Sequence, residues 1–298
     1  MKLTNIEKKS DLSFFIKLDR KGDANQRFLL LSDLHIDNPK CDRKLLIKVL
    51  NQAKEENAII FIFGDLFCMM QGKGDPRRSK ADIRPEHNKP NYIDAVVKDT
   101  ANILKPFANN IALIADGNHE TSIIKHIEVD PIDYLLGYLH KYNPEIQHGG
   151  YQGFIRLNTF VGNSTSNSKN IDIFFHHGAW GGAVTKGTLS VNRYASIVKS
   201  DVVVSGHTHD TWYVEHPYYE MLSNGEVEQK TQYHIKTGTF KQEYLQSGGF
   251  QIEKQVMPKP LGGWWMDWIS GHGSKGPKLN FTKAVSYTHL TLPTIYSV

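Results

Sequence analysis

Short runs of apolar residues recur between residues 27 and 205, and each run ends in polar residues. The runs cover residues 27–32, 58–63, 110–115, 171–175 and 201–205. Continuous apolar runs of this length, without alternation, are typical of strands that are buried on both faces. We therefore predict five buried strands.

Apolar residues with helical spacing lie between the early strands. Three segments have this pattern: 42–56, 91–107, and one that starts at Asp130-Pro131 and runs through Leu139. Asp42 is placed to cap the first helix, and Asp130-Pro131 is a common helix start. Asn91 and Asp94 resemble a capping box for the second helix. Strands that alternate with helices predict a layered α/β domain.

Composition narrows the class without naming a function. The chain has 298 residues, of which 40% are apolar, so it is long enough for one large globular domain. The net charge of +4 requires neither a nucleic-acid nor a membrane partner. Residues 1–12 lack an apolar signal-peptide core, and no apolar run is long enough to span a membrane. Cys41 and Cys68 form no Cys-x-x-Cys pair, so we expect a reduced, cytoplasmic protein of bacterial or phage origin.

Residue types that bind divalent metals follow each predicted strand. The motifs are Asp33-Leu34-His35, Gly64-Asp65, Gly117-Asn118-His119-Glu120, His176-His177-Gly178 and Gly206-His207-Thr208-His209. In open α/β sheets, ligands collect beyond the carboxyl ends of the strands, so we expect the motifs to meet there. Carboxylate, amide and imidazole groups together suit transition metals and magnesium.

The order of these five motifs resembles the signature of the calcineurin-like metallophosphoesterases, over about residues 27–240. The resemblance implies a four-layer α-β-β-α sandwich with two mixed sheets and a metal site at the C-terminal ends of the strands. It also implies hydrolysis of phosphate mono- or diesters, with a metal-bridging water or hydroxide as nucleophile. Two divalent metal ions are expected, manganese first, with iron, zinc, magnesium and nickel as alternatives.

The resemblance also gives a role to each motif residue. Seven are expected to hold metal: Asp33, His35 and His209 the first ion, Asn118, His177 and His207 the second, and Asp65 both. His119 is expected to be catalytic, by stabilising charge on the phosphoryl group or protonating the leaving oxygen. Glu120 is expected to orient His119 or a ligand from behind. His176 is expected to be a packed or hydrogen-bonded neighbour.

Glycines stand beside several of the expected ligands, at Gly64, Gly117, Gly178 and Gly206. Only glycine enters φ > 0 without steric cost, so we expect sharp turns with positive φ at these four positions.

A polar stretch, residues 71–90, begins soon after Asp65. Its six basic and three acidic side chains give +3. Arginine matches phosphate oxygens in two-point fashion, so Arg77, Arg78 and Arg84 are candidates for contact with a substrate phosphate. A solvated surface loop explains the stretch equally well.

Other functions remain open at this point. Gly64-Asp65-Leu66-Phe67 resembles the nuclease subunit of double-strand-break repair complexes, which makes a DNA exonuclease or endonuclease the first alternative. Those nucleases usually have aspartate at the position of Glu120 and are followed by capping and coiled-coil regions, which this chain lacks. The second alternative is a non-catalytic binding module on the same fold, and a structural metal protein is a third. The expected partner is a phosphoester, a nucleotide or nucleic acid included, and the sequence predicts no oligomeric state.

Two C-terminal features affect the domain assignment. Residues 285–298 (VSYTHLTLPTIYSV) resemble a translated sequencing adaptor, so we interpret them as a non-native tail and expect a single domain over residues 1–284. The cluster Trp264-Trp265-Met266-Asp267-Trp268 is expected to pack on the core, because tryptophan buries a large apolar area. Stacking on nucleic-acid bases is the less favoured use of the same side chains.

Overall fold

The computed structural model of the chain describes residues 2–19, 25–69, 83–161, 164–179, 187–242, 257–269 and 278–285. In chain order its strands are β1 (Lys2–Ser10), β2 (Ser13–Asp19), β3 (Gln26–Leu31), β4 (Ile59–Phe63), β5 (Ile111–Ala115), β6 (Gln147–His148), β7 (Gln152–Val161), β8 (Ser164–His176), β9 (Val202–Ser205), β10 (Thr211–Met221), β11 (Val227–Thr237), β12 (Trp264–Ile269) and β13 (Lys278–Lys283). All five predicted strands are present, as β3, β4, β5, β8 and β9.

The strands form two mixed sheets. One has seven strands in the order β1-β2-β7-β8-β9-β11-β10, and the other has six in the order β13-β12-β3-β4-β5-β6. The six-stranded sheet is parallel from β3 to β6, and β12 joins it antiparallel to β3. In the seven-stranded sheet, β8, β9 and β11 run parallel. The carboxyl ends of the strands that precede the motifs therefore lie along one edge of each sheet.

The helices in the described residues are α1 (Arg43–Glu55), α2 (Tyr92–Leu104), α3 (Asn118–Ile127), α4 (Pro131–Leu139) and α5 (Thr188–Ile197). Two predicted caps are confirmed. The Asp42 carboxylate accepts from the Leu45 amide at 2.9 Å, and Asp130 accepts from the Ile132 amide at 2.9 Å, with Pro131 in the first turn. Within the described residues, none of these helices has the length and apolarity needed to cross a membrane.

The second predicted helix differs in two details. The expected capping box is wrong, because the Asn91 side chain donates to the Asp94 carboxylate at 2.9 Å and accepts no hydrogen bond from the helix amides. The α-helix also ends at Leu104 and continues as a 3-10 segment, Lys105–Asn110. Pro106 lacks the amide hydrogen that an α-helix interior requires, which accounts for the change.

Apolar side chains fill three layers. Between the sheets lie Phe14, Ile16, Phe28, Phe61, Phe63, Phe175, Val204 and Trp268 among others. On the far side of the six-stranded sheet, α1, α2 and α4 bury residues such as Leu46, Val97 and Leu135. On the far side of the seven-stranded sheet, Tyr194 and Val198 at α5 pack on Phe174 and Val203. The order helix–sheet–sheet–helix is the expected four-layer α/β sandwich.

The tryptophan cluster packs as expected. Trp264, Trp265 and Trp268 on β12 are at most 6% exposed, with Trp265 facing the helices and the other two facing the space between the sheets. Burying both faces of β12 extends the six-stranded sheet beyond β3.

Candidate metal centre

The predicted ligands follow the ends of five strands, and most of them lie in a strained backbone conformation. Among the non-glycine residues described, eight have positive φ, and five of them are predicted ligands: Asp33 (53°), His35 (46°), Asp65 (48°), His207 (76°) and His209 (58°). A non-glycine residue in this left-handed region costs about 1–2 kcal/mol. Such strain persists where the surroundings fix it, and it concentrates at functional sites.

One group of ligand atoms comes from Asp33, His35 and His209. The two Nε2 atoms of the histidines are 3.1 Å apart, and His209 Nε2 lies 3.4 Å from Asp33 Oδ1. One ligand atom from each of the three residues lies within 4.8 Å of the others. The three donors therefore converge on a space that one cation would fill.

A second group comes from Asp65, His177 and His207, with Asn118 beside it. Asn118 Oδ1 lies 2.8 Å from His207 Nδ1 and 3.2 Å from His177 Nε2. His177 Nδ1 donates to the Phe63 carbonyl at 3.0 Å, which turns its Nε2 toward the group. The amide oxygen and both imidazoles thus face the same point.

Asp65 lies between the two groups. Its Oδ2 is 3.2 Å from His177 Nε2 and 3.9 Å from His35 Nε2. The side chain is 3% exposed, so its charge is shielded from water. One carboxylate within reach of both groups is the arrangement that a bridging ligand requires.

His119 is oriented by a backbone carbonyl. Its Nδ1 lies 2.6 Å from the Cys68 oxygen, and because a carbonyl only accepts, Nδ1 carries the hydrogen. Its Nε2 then faces Asp65 Oδ2 at 3.9 Å. The ring therefore presents one nitrogen to the centre without joining either group of ligand atoms.

Glu120 supports the loops and not His119 directly. Its Oε2 accepts from the Asp65 amide at 3.1 Å and the Gly117 amide at 2.7 Å, and its Oε1 accepts from the Phe67 amide at 2.8 Å. Burial raises the pKa of this carboxyl to about 8, and the charge of Asp65 adds to the effect. Glu120 thus fixes two of the motif loops to each other.

Glycine is needed at the four predicted positions for two different reasons. Gly64 (φ 88°) and Gly178 (φ 122°) take the expected left-handed conformation. Gly117 and Gly206 do not, so that part of the expectation is wrong. At these two positions a Cβ would collide with the carboxylates of Asp65 and Asp33 respectively, which shows that close approach is what requires glycine.

His176 has the supporting role that the sequence predicts. Its Nδ1 accepts from the Gly178 amide at 2.8 Å, and burial lowers its pKa to about 4. Its ring meets the Tyr151 ring edge-on, with the centroids 5.3 Å apart. The neutral ring therefore shapes the turn that carries His177.

Burial sets the protonation of the ligand histidines. It lowers the pKa of His207 to about 4 and that of His209 to about 3, and it lowers the pKa of His35 as well. For His177, burial is outweighed by Asp65 and Asp33, which raise the pKa to about 10. The imidazoles of His35, His207 and His209 are thus neutral at neutral pH. His177 carries a second ring proton, which a cation would have to displace.

The donor set fits one divalent cation in each group. Each group combines carboxylate and imidazole donors, the second adds an amide oxygen, and all the donors are largely buried. Burial raises the pKa of Asp33 to about 7, and the neighbouring Asp65 charge acts in the same direction. Two carboxylates this close gain from a cation between them, because its charge favours their ionised form.

The predicted phosphate-contacting arginines have different placements. Arg77 and Arg78 lie outside the described residues, as does the stretch 70–82. Arg84 is described, and its Nη2 donates to the Cys41 carbonyl at 3.2 Å while its Nη1 lies 3.9 Å from Glu86. These contacts are with the start of α1 and the segment before α2, and not with the predicted ligands.

Three further polar residues near the centre, two of them buried, belong to no sequence motif. The Asp37 carboxylate accepts from the Cys68 and Met69 amides. Lys236 on β11 is 3% exposed near Asp33, and burial lowers its pKa to about 8, with Lys259 acting in the same direction. The Tyr151 hydroxyl donates to the Gly178 carbonyl at 2.8 Å. The only sequence signal that could have indicated these three residues is their position within or beside an apolar run.

Residues 26–211 match the family described as calcineurin-like phosphoesterase. That span is more than half of the chain, and it contains all seven predicted ligands. The chain belongs to the calcineurin-like phosphoesterase family, which is metal-dependent and consists in general of phosphoester hydrolases. A comparison with curated protein sequences gives no match.

Solved structures resemble the chain in fold at low identity. A metallophosphoesterase from Sphaerobacter thermophilus is 15% identical, with 89% of this chain and 90% of that chain covered and a TM-score of 0.38. A predicted phosphoesterase from Streptococcus pneumoniae is 13% identical, with 88% and 91% covered and a TM-score of 0.31. Vps29 from Entamoeba histolytica, solved with zinc, is 12% identical, with 87% and 100% covered and a TM-score of 0.36. These likenesses are too distant to bear on activity.

Proposed function

We propose that this chain is a two-metal phosphoesterase that hydrolyses phosphate mono- or diesters. The carrying observation is the adjacency of the two groups of ligand atoms, with Asp65 Oδ2 placed 3.2 Å from His177 Nε2 and 3.9 Å from His35 Nε2. A carboxylate that reaches both groups favours two neighbouring cations over a single structural ion. Two cations in these groups would offset the charge of a phosphoryl group and activate water at neutral pH.

The protein's own part is to hold the donors in place before substrate arrives. Glu120 fixes the loops of Asp65 and Gly117, and the Phe63 carbonyl fixes the ring of His177. A preorganised polar site costs no reorganisation at the moment of reaction. The strained φ values of the five ligand residues fit this role.

His119 is proposed as the catalytic residue. Its Nδ1–H is committed to the Cys68 carbonyl, so Nε2 is the nitrogen available to the substrate. In the doubly protonated ring, Nε2–H would donate a hydrogen bond to a phosphoryl oxygen or give its proton to the leaving oxygen, while Nδ1–H stays on the Cys68 carbonyl. A positioned general acid contributes about 10²–10⁴-fold in rate.

Manganese is the proposed metal, because hard oxygen donors and imidazoles together suit Mn²⁺, with iron, zinc, magnesium and nickel as alternatives. The substrate class is a phosphoester, and nucleotides or nucleic acid are within that class. Nothing in the described residues favours the repair-nuclease alternative over a simple mono- or diesterase.

The test is hydrolysis of p-nitrophenyl phosphate and bis-p-nitrophenyl phosphate, with and without Mn²⁺. We expect metal-dependent turnover by the wild type. Asp65→Ala should lose both bound metal and turnover, because it removes the shared ligand. His119→Ala should keep its metal and lose about 10²–10⁴-fold in kcat. The ratio of rates on the two esters separates monoesterase from diesterase activity.

His126→Ala is the matched control. His126 is exposed on α3, the same helix as His119, and its ring Nδ1 donates to the Ser122 carbonyl of that helix at 2.8 Å. This variant should match the wild type. Bound metal without turnover on either ester, or on a single-stranded oligonucleotide, would contradict the proposal and favour the non-catalytic binding module.

A further inference from the structure

Two buried carboxylates, those of Glu120 and Asp37, accept hydrogen bonds from backbone amides in the segment from Gly64 to Met69. Glu120 takes the amides of Asp65 and Phe67, as described above. Asp37 takes the next two: its Oδ1 accepts from the Cys68 amide at 2.6 Å and its Oδ2 from the Met69 amide at 2.7 Å. Asp37 is 1% exposed and lies outside both groups of metal-ligand atoms among the described residues.

The second of these bonds acts on His119 through a single peptide unit. The Met69 amide and the Cys68 carbonyl belong to the same peptide group, which is planar and trans, so its N–H and C=O point in opposite directions. Asp37 holds the N–H side, and His119 Nδ1 donates to the C=O side at 2.6 Å. Rotating this peptide unit would break both bonds together.

The local backbone conformation does not by itself favour the observed orientation of the peptide unit between Cys68 and Met69. Met69 has φ 45°, a left-handed conformation that is unfavourable for a residue with a side chain. Relaxing that strain would turn the peptide unit between Cys68 and Met69. The Asp37 carboxylate, with two charge-assisted bonds to adjacent amides, opposes the relaxation.

We propose that Asp37 is a positioning residue for His119. It fixes the peptide unit between Cys68 and Met69, whose carbonyl sets the tautomer and direction of the His119 ring. The inference rests on the proposed function, because His119 is the group that would face the substrate.

A double-mutant cycle tests the proposal in the full-length, metal-loaded protein. Asp37→Asn keeps the size of the side chain but replaces one acceptor by a donor, so it cannot hold both amides. The single variants Asp37→Asn and His119→Ala are compared with the double variant by kcat, KM and metal content. Because misplacing a reacting group by 1 Å can cost about 10²-fold, we expect Asp37→Asn to lower kcat by up to that factor with little change in KM.

The decisive result is the effect of Asp37→Asn when His119 is already absent. If Asp37 acts through His119, the double variant is no slower than His119→Ala alone, since residues that act as a unit are not additive. A further loss of kcat in the double variant, or loss of bound metal in Asp37→Asn, would overturn the proposal. Asp99→Asn is the matched control: Asp99 also binds a half-buried Arg43 and a buried His87, neither of which belongs to the peptide unit that Asp37 holds, so the variant should not change kcat.

A second measurement does not depend on activity. Nitrogen NMR of the histidine rings identifies which nitrogen carries the hydrogen. In the wild type, the His119 signal should show hydrogen on Nδ1, and in Asp37→Asn this signal should change while the rings of His126 and His140 stay as they are. If the wild type is inactive but Asp37→Asn still changes the His119 signal, the proposed function fails and the positioning role of Asp37 stands. An unchanged His119 signal would overturn the positioning role.

Discussion

At the residue scale, the candidate centre depends on how closely its loops approach one another. The backbone of Gly117 passes so near Asp65 that a Cβ there would collide with the Asp65 carboxylate and amide. The same carboxylate accepts from the His119 amide at 3.0 Å, and Glu120 draws the two loops together. A single added methyl group should therefore displace the proposed bridging ligand.

Gly117→Ala and Gly137→Ala form a matched pair. Gly117→Ala should lower the free energy of unfolding by about 1–3 kcal/mol, as overpacking does, and should weaken metal binding. Gly137 lies within α4, where a Cβ meets nothing within 4 Å, so Gly137→Ala should raise stability by roughly 0.5–1 kcal/mol. Chemical denaturation and metal titration measure both effects. Equal stability of the two variants would show that the close approach at Gly117 does not matter.

The residues that form the centre were predictable only where they belong to a sequence motif. All seven predicted ligands and His119 converge because each follows a strand that the apolar pattern had located. Asp37 and Lys236 were not predictable, because their roles come from contacts with loops distant in sequence. The need for glycine at Gly117 and Gly206 was not predictable either. It comes from the close approach of segments distant in sequence, whereas a turn depends on local sequence.

At the element scale, His148 on the short strand β6 fastens the end of β5 to the start of α4. Its Nε2 lies 2.9 Å from Asp116 Oδ1, its Nδ1 lies 2.8 Å from Asp133 Oδ1, and Asp130 is 4.0 Å away. Burial opposes the charged ring, but these carboxylates outweigh burial and raise the pKa to about 9. The protonated ring therefore links two elements that position the Gly117-Asn118 loop.

This link predicts a pH-dependent stability. The folded-state pKa of His148 is above its usual value of 6.5, so its contribution is complete below about pH 6.5 and is lost as pH rises toward 9. His148→Gln should lower the free energy of unfolding by on the order of 1–2 kcal/mol at pH 6, and by little above pH 9. Thermal unfolding of both proteins across this range measures the difference. A gap that stays constant with pH would refute the role of the charge, and His126→Gln serves as the control.

Elements with strong local patterns were predictable, and their pairing was not. The buried parallel strands β3, β4 and β5 stand out as unbroken apolar runs. The antiparallel β10–β11 hairpin and the β1–β2 hairpin do not, because one face of β2 and of most of β10 is more exposed than the other, so that polar residues alternate along these strands. The division of strands between two sheets depends on long-range pairing, such as β12 with β3, which periodicity along the chain cannot reveal.

At the scale of the whole molecule, the candidate centre lies across the boundary between the two sheets. Asp33, Asp65 and Asn118 follow strands of the six-stranded sheet, whereas His177 and His207 follow strands of the seven-stranded sheet. Bound cations would therefore connect the two halves of the sandwich in addition to the apolar layer between them.

Metal should accordingly stabilise the entire domain. A ligand that binds the folded state at 100 times its Kd adds about 2.7 kcal/mol, which for a chain of this size corresponds to a rise in Tm of roughly 5 °C or more. Calorimetry of the EDTA-treated protein, before and after Mn²⁺ is added, measures the shift. Asp65→Ala should show no such shift. An equal Tm with and without metal would show that the centre does not join the sheets.

The split of ligands between the sheets also follows the order of the chain. Every donor from the six-stranded sheet precedes residue 120, and every donor from the seven-stranded sheet follows residue 176. During translation, the ribosome thus releases four of the seven proposed donors well before the other three exist. A complete centre can form only after His209 has emerged, so the ion would be chosen by a chain that already contains β1 to β9, from the metals that the cell then offers.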